Sequence, residues 1–225
     1  MKLKSLLKLM VIPILTLVSC ELSFELPISS ENHSHITSQE IITSSDSLSI
    51  HFLELGNKYV GDSVYIKAGE NDILIDAGSR KDSATTITNY VDNYCEDGKL
   101  EYVIATHAHQ DHIAGFVGSD INPGIFSNYD IDTLIDFPKT NTTSQIYNSY
   151  VERRNDLISY GTKHYTALEC YNNVNGAQRT YVLGENLTLN ILYQEYYKKM
   201  HQVKIIILCA YYYHMMIDIF YLQVT

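Results

Sequence analysis

Three histidines and a carboxylate fall within the six residues His107-Ala108-His109-Gln110-Asp111-His112. Imidazole nitrogens and carboxylate oxygens at this density suit a metal ion, with Zn²⁺ first and Fe or Mn also compatible with the donor set. A turn at a strand's end presents successive side chains in different directions. His107 and His109 can therefore grip one ion while Asp111 and His112 face a second position beside it. Coordination positions left open carry water, whose pKa a metal lowers from ~15.7 to ~7. Hydroxide is then available at neutral pH.

The elements that must position these residues are legible on either side. Leu100-Glu101-Tyr102-Val103-Ile104-Ala105, directly before the motif, reads as a strand covered on both faces. Upstream, Ile50, Phe52 and Leu55, then Val64 and Ile66, then Ile73 and Ile75 recur at near-strand spacing with glycine-containing turns between them. Glu70-Asn71-Asp72 is the expected hairpin turn. From Ser83 a helix is expected, with Ala84, Ile87, Tyr90, Val91 and Tyr94 on one face, Asp92 opposite and Gly98 beyond its end. Downstream, Ile131 to Phe137 reads as a strand stopped by Pro138. Ser144 to Tyr160 suits a helix with Ile146, Tyr147, Tyr150, Val151, Arg154, Leu157 and Ile158 near one side. Tyr181 to Leu183 and Leu187 to Tyr193 form a hairpin pattern through Gly184-Glu185-Asn186.

The H-x-H-x-D-H spacing resembles the signature of the metallo-β-lactamase superfamily. The resemblance extends upstream through His51-Phe52-Leu53-Glu54-Leu55-Gly56, Gly61-Asp62-Ser63 and Ile73-Leu74-Ile75-Asp76-Ala77-Gly78. That order is similar to the start of the domain in the DNA-uptake (ComEC-like) branch, with Asp76 matching the acidic residue that ends an early strand. It covers Leu48 to Gly118 clearly and runs more faintly to Tyr193. It implies an α/β fold, the αββα sandwich, and a zinc-dependent hydrolase holding two ions. On that resemblance His107 and His109 hold one ion, Asp111 and His112 hold or orient the second, and Asp111 also guides a proton. Asp76 would orient the ligand loop from behind. Metal-bound hydroxide would attack an electrophilic centre, and the ComEC-like likeness favours a phosphodiester such as DNA over a β-lactam or small ester. His164 lies 52 residues after His112, within reach of where related enzymes place a further ligand. A lone histidine is more often a packed or surface residue. Tyr165 and Tyr171 read either as groove lining or as aromatic core.

Compartment and domain limits come from the flanks. Lys2, Lys4 and Lys8 precede the apolar Leu9 to Val18, a run of signal-peptide length that is shorter than a span of ~20 residues. Leu17-Val18-Ser19-Cys20 resembles a bacterial lipoprotein processing box. Residues 1–19 are then a leader, and a lipidated Cys20 anchors the chain to the outer face of the cell membrane. Residues 20–47 are polar and serine-rich, as a tether would be, and His33 and His35 within it read as incidental. Without the leader, 206 of 225 residues remain, enough for one domain over 48–199. A formal net charge of −10 shows no broad basic face, although bound metal ions would supply local positive charge to a nuclease. Cys95, Cys170 and Cys209, an odd set without motif spacing, suggest neither a disulfide framework nor a cysteine metal site.

From Met200 the pattern changes. Lys204 to Tyr221 fits neither an amphipathic helix nor a clean strand, and His214 and Asp218 would be costly inside a membrane. Lys198-Lys199-Met200 can be encoded by a run of adenines. Restoring one base lets the tail be read as a strand followed by Thr-Gly-Asp, similar to the superfamily's. On this reading residues 200–225 are out of frame and the sandwich is incomplete in its C-terminal half. The bridging aspartate and closing histidine of the family's site would then be missing. The competing expectation is an inactive truncated product, or a surface lipoprotein that binds without turnover.

Overall fold

The structure is a computed structural model that describes residues 47–56, 61–194 and 197, together with the backbone of 206–213 and 216–223. The leader, Cys20, the tether as far as residue 46, and Lys198 to Met200 lie outside the described residues. Strands β1 (Leu48–Phe52), β2 (Val64–Ala68) and β3 (Asn71–Ile75) form an antiparallel meander. Strands β4 (Lys99–Ile104), β5 (Asp130–Asp136) and β6 (Lys163–Thr166) then add in parallel, giving a six-stranded sheet in simple chain order. Helices fill the crossovers: α1 (Ser83–Val91) before β4, α2 (Gln110–Val117) and α3 (Ile125–Asn128) before β5, and α4 (Gln145–Ser159) before β6. Successive strands step the same way, and right-handed crossovers then put every helix on one face. Indeed α2 packs against α1, α3 and α4. Ile73, Leu74, Ile75, Val103, Ile104, Leu134 and Ile135 are fully buried, as strands covered on both faces require.

A second sheet begins with β7 (Thr180–Val182) and β8 (Leu187–Leu192). In β8 Leu187, Leu189 and Ile191 are buried and the residues between them are not, the alternation of a strand with one covered face. This sheet meets the first where the Tyr181 ring stands 5.2 Å from that of Tyr102. Asn71 Nδ2 also donates to the Leu183 carbonyl at 2.7 Å. Helices, sheet and second sheet together make a mixed α/β fold. Among the described residues α5 (Ala167–Asn172) is the one α-helix after α4, and no helix is long and apolar enough to cross a membrane.

The β2–β3 turn lies at Gly69-Glu70, not at Glu70-Asn71-Asp72. Gly69 takes φ +59°, while Asp72 is buried in β3, accepting from Tyr65 Oη and, at 2.8 Å, from Lys67 Nζ. Helix α1 ends at Val91, so Tyr94 falls beyond it. Tyr90 and Tyr94, expected on the buried face, are 37% and 39% exposed. Ile87 and Val91 already fill the helix's buried face, and the two tyrosines pack instead around His51 of β1, their ring centroids 5.7 and 4.7 Å from its own. In the tail, the backbone forms strands where no clean strand was expected. β9 (Ile206–Tyr213) pairs antiparallel with β8, and β10 (Met216–Gln223) pairs with β9. Runs of Ile, Leu and Tyr favour extended chain once a neighbouring strand offers a ladder.

Helix α5 opens with a capping box that sequence periodicity does not reveal. Glu169 N–H donates to Thr166 Oγ1 at 3.3 Å, and Thr166 N–H donates to Glu169 Oε2 at 2.8 Å. Burial acts to raise the Glu169 carboxyl, but hydrogen bonds from Thr166 and Asn175 prevail and hold it below its ordinary value. Thr166→Ala should cost about 1 kcal/mol in denaturant unfolding at neutral pH. A depressed carboxyl contributes stability above the unfolded pKa of ~4.3 and loses it as pH falls through the folded value. The Glu169→Gln penalty should therefore shrink in acid.

Candidate metal centre

Ile75 of β3 and Ile104 of β4 pair side by side, so Asp76 and the segment Thr106-His107 leave adjacent strands at one carboxyl edge. That edge is where parallel sheets bind ligands. Asp76 has φ +57°, uncommon outside glycine, and its N–H donates to the Ile104 carbonyl at 2.9 Å. This turn aims a fully buried carboxylate at the motif. It accepts from Thr106 N–H at 2.8 Å, from Thr106 Oγ1 at 2.6 Å and from His112 Nδ1 at 2.6 Å. A carboxylate partner keeps the proton on Nδ1, which leaves the Nε2 lone pair of His112 facing outward to a ligand.

His109 is the extended cap residue of α2, which therefore starts inside the motif. The helix docks on the turn after β3. Ala77 N–H donates to the His112 carbonyl at 2.7 Å, Gly115 N–H to the Ala77 carbonyl at 3.0 Å, and Ala114 N–H to the Gly78 carbonyl at 3.2 Å. A Cβ on Gly115 would lie 2.1 Å from the Ala77 oxygen, so only glycine permits this approach.

The helix start swings His112 back over His107, their ring centroids 3.8 Å apart. Donor atoms of His107, Asp111 and His112 all lie within 4.8 Å of one another. Asp111 Oδ2 is 3.6 Å from His112 Nε2. His109 stays exposed at the rim, its ring edge-on to His107 with centroids 4.8 Å apart. The expected neighbours His107 and His109, and Asp111 and His112, do lie side by side, and the structure also brings His107 to Asp111 and His112. Burial alone would lower the His112 pKa, but the hydrogen bond and charge of Asp76, with the charges of Asp111 and Asp62, raise it. Burial raises the Asp76 carboxyl, against the pull of His112 and Thr106. Two imidazoles and a carboxylate, one imidazole anchored from behind, fit a transition-metal ion.

Asp62, which sequence reasoning did not mark as a site residue, also faces this cluster, with Oδ2 3.9 Å from His112 Nε2. It stands 49 positions before Asp111, and only the fold brings the two together. His164 goes elsewhere. On β6 its Nε2 lies 3.0 Å from Oδ1 of the buried Asp136, unaligned for a hydrogen bond, while Arg154 Nη1 donates to Oδ2 of the same carboxylate at 2.8 Å. Tyr171 packs beneath the Arg179 guanidinium, 4.4 Å from the ring centroid, and beside Tyr193. Asp72, Cys95 and Asp97 also converge. Asp72, however, is already engaged by Tyr65 and Lys67. Burial, then the charge of Asp72, pushes the Cys95 thiol up to about 11.

Residues 56–118 match the model of the metallo-beta-lactamase superfamily. The matched segment runs from β2 through α2 and carries Asp62, Asp76 and the whole histidine motif. No curated protein matches the chain. Among solved structures, Rm3 metallo-beta-lactamase is 13% identical with a TM-score of 0.46, over 80% of this chain and 62% of that one. The Bacillus subtilis metallo-beta-lactamase fold protein YhfI is 17% identical with a TM-score of 0.39, over 72% and 57%. MEM-A1, a subclass B3 metallo-beta-lactamase from a soil metagenome library, is 14% identical with a TM-score of 0.45, over 77% and 59%. The chain thus spans about 57–62% of the length of these proteins.

Proposed function

We propose that this chain is a metal-dependent hydrolase of the metallo-β-lactamase type, acting on phosphodiesters at the outer face of a bacterial membrane. The observation that carries the reading is the convergence of His107, Asp111 and His112 on one point, with His112 held by the buried Asp76. His109 at the rim supplies a further imidazole. A bound Zn²⁺, or Mn or Fe, would make a hydrolytic nucleophile available at neutral pH and stabilise developing negative charge. The chain's own part is positioning. His112 is fixed in one tautomer, and Asp111, 44% exposed, is the carboxylate that can accept or guide a proton from the open side.

A cleft of about 850 Å³ adjoins Asp111 and is lined by Arg80, Lys81, Gln110, Ser144 and Ser149 among others. Its walls are polar, and the two cations are matched by Asp82, which pairs with Arg80, and by Asp111, so a bound metal ion would supply the positive charge that favours a phosphate-bearing substrate. Anchoring through a lipidated Cys20 belongs to the same reading, as does an out-of-frame origin of residues 200–225. Metabolic labelling with a fatty acid, lost in Cys20→Ser, checks the first. Resequencing across the codons for Lys198 to Met200 checks the second.

The activity test is hydrolysis of bis(4-nitrophenyl) phosphate beside a chromogenic β-lactam. Turnover of the diester should vanish on chelation, return with Zn²⁺ or Mn²⁺, and fall by about 100-fold or more in His112→Ala. Metal binding without turnover of either substrate would leave a non-enzymatic surface protein as the better reading.

A further inference from the structure

We propose that Asp62 is a ligand of the metal centre, the carboxylate that completes the donor set around His112. The inference rests on the metal reading above and adds a residue outside the histidine motif. Two donors bound to one ion at about 2.0–2.1 Å lie roughly 3.3–3.4 Å apart in tetrahedral geometry. Asp111 Oδ2 stands 3.6 Å from His112 Nε2 and Asp62 Oδ2 stands 3.9 Å from the same atom. Both carboxylates are about half exposed, so small side-chain rotations close the remaining few tenths of an ångström.

The backbone holds Asp62 at this spot from both sides. Its N–H donates to the Asp111 carbonyl at 3.2 Å, and its own carbonyl accepts from Gly78 N–H at 2.9 Å. The preceding Gly61 has no room for a side chain, since a Cβ there would lie 2.6 Å from Ser79 N and 2.9 Å from the Asp111 oxygen. The segment before β2 is thus laid against both the turn after β3 and the start of α2. Asp62 cannot leave Asp111 without breaking these contacts.

Donor counting gives the placement its chemical sense. The histidine motif alone brings three donors together, His107, Asp111 and His112, the number of protein ligands usual for one catalytic zinc, and a second ion needs donors from outside it. Asp62 adds an oxygen donor on the His112 side of the group formed by His107, Asp111 and His112. A second carboxylate also moves the preference toward harder ions such as Mn²⁺ and Fe²⁺.

The test uses the full chain. Zn²⁺ affinity is measured by calorimetry in the parent, in Asp62→Asn, and in Asp82→Asn, a carboxylate of the same cleft that pairs with Arg80. Asp62→Asn should bind at least about 10-fold more weakly while Asp82→Asn binds like the parent. Asp62→Cys, loaded with Co²⁺, should gain a near-ultraviolet thiolate-to-metal charge-transfer band that the parent lacks. Parent-like affinity in Asp62→Asn without that band overturns the proposal and leaves the metal centre standing. Weakened binding without the band also overturns it, making Asp62 an electrostatic neighbour of His112. A parent chain that takes up no metal overturns both the ligand assignment and the reading beneath it.

Discussion

Asp76→Asn should cut metal affinity by about 10–100-fold although it alters no atom facing the ion. The wild-type carboxylate accepts three hydrogen bonds and donates none. An amide in its place keeps one acceptor, which the Thr106 N–H can retain, and turns an NH₂ toward Thr106 Oγ1 and His112 Nδ1. Two donors cannot face each other across 2.6 Å, so His112 must shift its proton to Nε2. That nitrogen then points an N–H where the ion needs a lone pair. Zinc calorimetry reads the loss of affinity, and imidazole ¹⁵N shifts of His112 read the tautomer. The metal-free protein should also lose about 2 kcal/mol, because buried polar groups are left mismatched. An unchanged affinity with the Nδ1–H tautomer retained would show that Asp76 does not control His112.

The strand, the loop and Asp76 are legible in sequence, whereas the convergence of His107 with Asp111 and His112 is set by tertiary contacts. Leu100 to Ile104 shows the apolar run of a strand covered on both faces, and Ile73 to Ile75 shows the same before Asp76. Such runs report burial directly. The grouping of donors depends on where the chain turns. The loop keeps His107 and His109 together, and α2, beginning at Gln110, carries Asp111 and His112 back toward His107 in its first turn. Only the docking of α2 on Ala77 and Gly78, a contact between segments about 36 residues apart in sequence, decides the matter. Asp62 was hidden for the same reason. The one local hint was a glycine beside an aspartate, and many surface turns carry that pair. His164 illustrates the converse: its distance along the chain matched a ligand position, while β6 aims it at Asp136.

The docking contact itself is the second place where a single change should have a large effect. Gly115→Ala in an isolated helix would be favourable by about 1 kcal/mol, since alanine is the better helix former. Here the sign reverses. The added methyl would sit 2.1 Å from the Ala77 oxygen and 3.2 Å from its Cβ, and the first is backbone that cannot rotate away. Relief requires α2 to lift from the turn after β3, which breaks the Gly115-to-Ala77 and Ala77-to-His112 hydrogen bonds together. Overpacking of this kind costs about 3 kcal/mol, and at roughly 2–4 °C per kcal/mol for a domain of this size the unfolding midpoint should fall by about 6–12 °C. Gly98→Ala is the contrast: φ is +72° there but nothing lies within 4 Å of the added methyl, so the loss should be only about 1–2 kcal/mol. The functional consequence separates the two further. Lifting α2 carries His112 away from Asp76 and from His107, so Gly115→Ala should weaken Zn²⁺ binding even well below its unfolding temperature. Gly98→Ala, outside the metal-centre contacts, should bind Zn²⁺ as the parent does. Equal affinities in the two variants would mean that the seating of α2 on Ala77 does not set the geometry of the centre.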